Sequence, residues 1–139
     1  MAIGTDTGAL GRIALFADVP RPQLEAIAHS YDEELVPQGQ RVLRRGMSGG
    51  SLYVILDGEA QVVLEGRDLA RLGRGEFFGD VSALLGEAPT ADVVAATPLR
   101  LLTIPAGDVE RFLLAYPSVA VRMLKVTLER LARTLEWLG

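Results

Sequence analysis

Gly73, Gly75, Gly79, Asp80 and Ser82 crowd into one short stretch, and this is where the chain could hold a ligand. Gly73 and Gly75 free the backbone to turn sharply. Asp80 and Ser82 stand where a helix could begin, and Val81, Leu84 and Leu85 give that helix an apolar face. Gly86 suits the left-handed position that ends such a helix. A glycine just ahead of a helix lets a ligand approach backbone N–H groups, which together with the helix dipole favour an anion. The stretch reads as an anion cradle. A buried helical turn crossing between strands would carry the same residues.

Covalent and metal chemistry find little to work with. The chain has no cysteine, which excludes disulfides and thiolate nucleophiles. Its one histidine, His29, ends an apolar-striped segment and reads as a surface residue at a helix C-terminus. No Ser-His-Asp arrangement is apparent. The acidic clusters Asp32-Glu33-Glu34 and Asp57–Glu59 fall at turns and read as solvated surface. The chain is therefore expected to be non-enzymatic, with no cofactor and no metal.

The elements that must position the glycine-rich stretch follow from patterning. At 139 residues, nearly half of them apolar, the chain is one domain with a real core. Short helices are expected over about 9–29: one between Ala9 and Ala17, and a second after Asp18-Val19-Pro20-Arg21-Pro22 with Leu24, Ile27 and Ala28 as its stripe. From Glu33 short apolar or alternating runs recur: Glu33–Val36, Arg41–Leu43, Leu52–Leu56, Ala60–Leu64, Leu69–Leu72, Ala91–Ala96 and Leu99–Ile104. Turn residues separate them, and Asp57-Gly58 is a strong hairpin signal. The class is mainly β with flanking α-helices: a β-roll of about seven or eight strands over 33–104, interrupted once by residues 75–92. Two helices are expected over about 106–138, broken at Tyr116-Pro117-Ser118.

In the last helix Val121, Leu124, Leu128, Leu131, Leu135 and Leu138 are spaced 3, 4, 3, 4, 3, a short heptad seam. It serves either to pack the helix on its own barrel or to pair it with a second copy.

Two stretches carry a family resemblance that covers most of the chain, from about Leu15 to Leu131. Phe78-Gly79-Asp80-Val81-Ser82-Ala83-Leu84-Leu85-Gly86-Glu87-Ala88-Pro89-Thr90-Ala91-Asp92-Val93 resembles the phosphate-binding cassette of the cyclic nucleotide-binding domain family. That family includes catabolite activator protein and the regulatory subunits of protein kinase A. Arg41 to Ala60, with Gly46, Leu52-Tyr53-Val54-Ile55 and Gly58, is similar to the strand pair ahead of the cassette.

The resemblance implies roles. Gly79 would present its backbone to the cyclic phosphate and ribose. Asp80 stands for a glutamate that accepts from the ribose 2′-OH, with an arm one methylene shorter; a helix N-cap is its other reading. Val81 and Ser82 would turn N–H groups to the pocket, Thr90 would donate to the phosphate, and Ala91 follows as in the family. Pro89 stands where the family has its phosphate-binding arginine, and residues 75–99 contain no lysine or arginine. Losing that charge-assisted hydrogen bond is worth about 1.5–3 kcal/mol, at least one to two powers of ten in affinity. Asp92 would repel a phosphate if it faced inward. Arg41, Arg44, Arg45, Arg71, Arg74 or Arg100 could substitute, and Arg122, Thr127, Arg130 and Arg133 are available to cap a base.

The resemblance thus implies a regulatory domain of the cyclic AMP or cyclic GMP sensor type, ligand closure moving the C-terminal helices. The alternative is a degenerate member that dimerises or binds protein without nucleotide. A homodimer through the last helix is the expected partner. A cytoplasmic setting is expected, since no apolar run approaches the ~20 residues of a membrane span and no secretory signal is visible. No DNA-binding domain is expected in this chain, whose net charge is −4.

Overall fold

Leu52, Val54, Ile55 and Leu56 are all buried along one strand, β3 (Leu52–Asp57). Such continuous burial belongs to a strand covered on both faces. On one face Ile55 and Tyr53 meet an apolar cluster that includes Val36, Leu43, Phe78, Val93 and Leu101. On the other, Leu52, Val54 and Leu56 meet Phe16, Ile27, Val109 and Phe112 of the helical segments. The computed structural model describes residues 7–47 and 50–138, with side chains through Leu135.

The remaining strands are β1 (Asp32–Val36), β2 (Arg41–Leu43), β4 (Ala60–Leu64), β5 (Arg67–Leu72), β6 (Phe77–Phe78), β7 (Asp92–Ala95) and β8 (Leu99–Ile104). They form two antiparallel sheets of four strands, ordered β1-β8-β3-β6 and β2-β7-β4-β5. All eight strands contribute to the cluster between the sheets, as a β-roll requires. The helices are α1 (Thr7–Gly11), α2 (Arg21–Ser30), α3 (Asp80–Leu85), α4 (Ala106–Ala115) and α5 (Pro117–Leu138), with a 3₁₀ turn at Ala14–Phe16.

Three local expectations are corrected. The single helix between Ala9 and Ala17 is instead α1 and the 3₁₀ turn, parted at an extended Ile13. A continuous helix would set Ile13 and Leu15 about 200° apart; the break buries both. Second, Asp57-Gly58 is no hairpin turn. β3 pairs with β8 and β6, while β4 pairs with β5 and β7, so the chain crosses there from one sheet to the other. Gly58 has φ +92, and a Cβ on it would lie 2.1 Å from the Pro98 carbonyl oxygen, so the crossing needs glycine. Third, β6 lies inside residues 75–92, where the roll was expected to be interrupted, because two residues are too few for alternation to show.

For α5 two roles of the seam stood open. Its barrel face is Val119, Met123 and Val126, not the heptad seam. Val121, Leu124, Leu128, Leu131 and Leu135 are 51–57% exposed, so the seam points away from its own barrel. Leu138 lies outside the described side chains. Pro117 is the first residue of α5, where its missing N–H costs nothing.

Candidate functional site

β6 pairs with β3 through Tyr53 and Phe78, and this pairing delivers the next residue, Gly79, against Ser51. Gly79 has φ +84, and a Cβ would sit 2.3 Å from the Ser51 carbonyl oxygen and 3.3 Å from Tyr53 Cδ2. Only glycine fits. Gly79 is also the N-cap of α3, and Asp80 is the first residue inside the helix. The N-cap reading of Asp80 is thereby corrected: the left-handed turn is made one residue earlier, by the residue that tolerates it. As an acidic residue in the first turn, Asp80 complements the helix dipole.

α3 ends at Gly86, whose φ of +70 lets its N–H reach the Ser82 carbonyl at 3.1 Å. Ser82 is buried, Val81 is half-buried, and Leu84 and Leu85 face solvent. A Cβ on Gly50 would lie 3.0 Å from Ser82 Oγ, so the end of the β2–β3 loop rests on this helix. After α3 the chain returns through buried Pro89, exposed Thr90 and half-buried Ala91 to β7.

Two hydrogen bonds stitch that return to the turn after β2. The Gly46 N–H donates to the Pro89 carbonyl at 3.0 Å. The Arg45 N–H donates to Asp92 Oδ1 at 2.7 Å. Asp92 Oδ2 also lies 3.6 Å from Arg41 Nε. Its carboxylate is thus already engaged by two donor groups, a backbone N–H and a guanidinium.

Between these parts lies a cavity of about 340 Å³, bordered by Arg41, Leu43, Arg44, Ser51, Tyr53 and Pro89 among others. The volume falls within the ~300–1,000 Å³ common for small-molecule sites. Of the residues singled out from sequence, Arg41, Arg44 and Pro89 line it directly, and Gly79 adjoins it through Ser51 and Tyr53. Asp80, Val81, Ser82, Thr90 and Ala91 stand outside its lining. Ser51 and Tyr53 were not singled out from sequence, because their apolar-strand context gives no ligand signal. Tyr53 stacks on Phe78 with ring centroids 5.0 Å apart and planes 20° from parallel. Burial and then the Glu34 carboxylate push its phenol above the ordinary value, and a hydrogen bond with Ser51 partly offsets them.

The arginines sort by partner. Arg45 pairs with Glu65 at 3.2 Å, Arg71 with Glu59, and Arg100 with Glu33. Arg44 is exposed and forms no ion pair with a described residue. Arg74 likewise has none, but it does not line the cavity. On α5, Arg122 pairs with Asp18, while Thr127 and Arg133 bond carbonyls of their own helix. Arg130 donates to the Phe77 carbonyl at 2.9 Å.

No helix among the described residues is long and apolar enough to cross a membrane. Among those residues no cluster of His, Cys, Asp and Glu could hold a metal.

Comparison with known proteins agrees with this geometry. A cyclic nucleotide-gated potassium channel of Rhizobium etli is 30% identical over 118 residues, 85% of this chain and 33% of the channel. A potassium channel protein of Rhodopseudomonas palustris is 27% identical over 91% of this chain and 31% of its own. The chain thus spans about a third of these relatives. The crystal structure of Thermus thermophilus catabolite activator protein superposes with a TM-score of 0.78 at 28% identity, over 89% of this chain and 61% of that one. The cyclic nucleotide-binding domain family matches residues 33–116, more than half of the sequence. On the eight-stranded roll, the glycine-led helix and that match, this chain belongs to the cyclic nucleotide-binding domain family.

Proposed function

We propose that this chain is a non-enzymatic regulatory domain that takes cyclic AMP or cyclic GMP in the cavity beside Pro89, with weakened affinity. The carrying observation is that cavity, about 340 Å³, walled by the return from the cassette helix and by Ser51 and Tyr53, which lie against Gly79. The names of relatives support the ligand class: a cyclic nucleotide-gated channel and cAMP-dependent protein kinase regulatory subunits. Gly79, Asp80, Val81, Ser82, Thr90 and Ala91 are the proposed contacts around the ribose and phosphate. Their backbone groups would complete the site as the cassette closes over ligand, since all but Gly79 now stand outside the cavity's lining or its border. Pro89 contributes no charge, so affinity falls by about one to two powers of ten relative to a cassette bearing arginine.

A second reading is favoured by the outward seam of α5. In it the fold has lost nucleotide and serves as a dimerisation module. Calorimetric titration with cyclic AMP and cyclic GMP separates the two. Saturable heat at micromolar to millimolar ligand supports the sensor. No heat at millimolar ligand leaves the dimerisation module.

A further inference from the structure

The cavity that lacks an arginine on one wall has two on another. Pro89 borders it from the cassette return; Arg41 and Arg44 border it from β2 and the turn that follows. The turn is not free to wander. Residues 45 and 46 are tied by their N–H groups to Asp92 Oδ1 at 2.7 Å and to the Pro89 carbonyl at 3.0 Å. Both anchors belong to the segment where the missing guanidinium would have begun. Arg44 directly precedes the two tethered residues, so its backbone is held on the same cavity as Pro89. The Met47 N–H closes the same turn on the Arg44 carbonyl at 3.3 Å.

The charges around the cavity differ in availability. Asp92 divides its carboxylate between the Arg45 N–H and Arg41, so Arg41 is partly neutralised. Arg44 has no carboxylate against it among the described residues. A guanidinium keeps its charge throughout the accessible pH range and offers a fork of five donors that matches phosphate oxygens. At a cavity lip it stays hydrated until an anion arrives, so the free protein bears no buried unpaired charge.

Resting on the function proposed above, we propose that Arg44, held by the tethered turn beside Pro89, binds the anionic group of the ligand in this cavity and replaces the cassette arginine. Arg41 is the weaker second contact, attenuated by Asp92. The ligand class is a singly charged phosphodiester on a body of nucleotide size. The exchange moves the counter-charge from one wall of the cavity to another. The phosphate therefore lies nearer the β2–β3 turn than a cassette arginine would place it.

The test is calorimetry with cyclic AMP at low and moderate salt on the full chain, on Arg44→Gln, and on Arg12→Gln as a charge-matched control away from the cavity. The expected result is affinity at least about tenfold weaker in Arg44→Gln, with a shallower salt dependence, and no change in Arg12→Gln. Arg44 is exposed and outside both apolar clusters, so the variant should fold; unliganded melting checks this. Affinity and salt dependence in Arg44→Gln equal to those of the unaltered chain overturn this inference and leave the proposed function standing. Equal weakening in both variants shows a general charge effect and also overturns it. No binding to the unaltered chain at millimolar cyclic AMP and millimolar cyclic GMP overturns both.

Discussion

Arg130 reaches from α5 to Phe77: its Nη2 donates to the Phe77 carbonyl at 2.9 Å, and its guanidinium carbon lies 4.5 Å from the centre of the Phe77 ring. Phe77 is two residues ahead of Gly79, so the last helix is fastened directly to the strand that feeds the cassette. The hydrogen bond carries a full charge and the ring contact adds a cation–π attraction. Arg130→Gln should destabilise the chain by about 1–2 kcal/mol, read from urea denaturation. Hydrogen exchange in α5 should rise more than in the strands. A change below about 0.3 kcal/mol with unchanged exchange would show that the contact holds nothing.

Gly79 and Gly86 bracket the same helix yet should answer alanine differently. At Gly79 the new Cβ would meet the Ser51 carbonyl at 2.3 Å, a backbone atom directly ahead of β3. At Gly86 no atom lies within 4 Å, and only the positive φ of +70 opposes a side chain. Gly79→Ala should cost about 3 kcal/mol or more, and Gly86→Ala about 1–2 kcal/mol. Equal losses in chemical denaturation would contradict the placement of Gly79 against β3.

Pro89→Arg tests the missing charge from the other side. The Gly46 bond uses the Pro89 carbonyl and survives the change. A guanidinium at that wall should raise cyclic AMP affinity about ten- to hundredfold by calorimetry. Unaltered affinity in a folded variant would mean that this wall does not face the phosphate.

The α5 seam predicts association. Five apolar side chains at heptad spacing face solvent, and their natural cover is the same seam of a second copy. The chain should sediment as a dimer at tens of micromolar, and Leu128→Glu should shift it to monomer with helix content nearly retained. A monomeric unaltered chain at that concentration removes the dimer.

Tyr53 ties stability to alkaline pH. Its phenol is raised above the ordinary value by burial and by Glu34, so the folded chain holds this proton more tightly than the unfolded chain. The associated stability is full below about pH 10 and is lost as pH rises through the folded pKa. Tyr53→Phe retains a ring to stack on Phe78 and should flatten the fall in urea midpoint between about pH 9 and 11. Tyr31 is also raised, so some slope should remain. Parallel curves for the two proteins would reject the assignment to Tyr53.

Much of the roll was legible because a strand advertises itself locally. Ala60–Leu64 and Leu99–Ile104 appear at their expected bounds, since apolar runs between turn residues need no distant information. The glycine at 79 and the proline at 89 were also readable, as identities that permit or deny a backbone shape and a charge. What Asp57-Gly58 joins was not readable, because a tight turn looks the same whether its strands pair together or part into different sheets. The seam of α5 could be counted along the chain, but a helix repeats its apolar spacing without saying which face meets the barrel. Tertiary packing settled that by burying Val119 and Met123 and leaving Leu124 and Leu128 outside. Asp92 posed the same limit. Alternation gives a side chain two directions, and only the arrival of Arg41 and Arg45 from 47 or more residues away decides what the carboxylate meets.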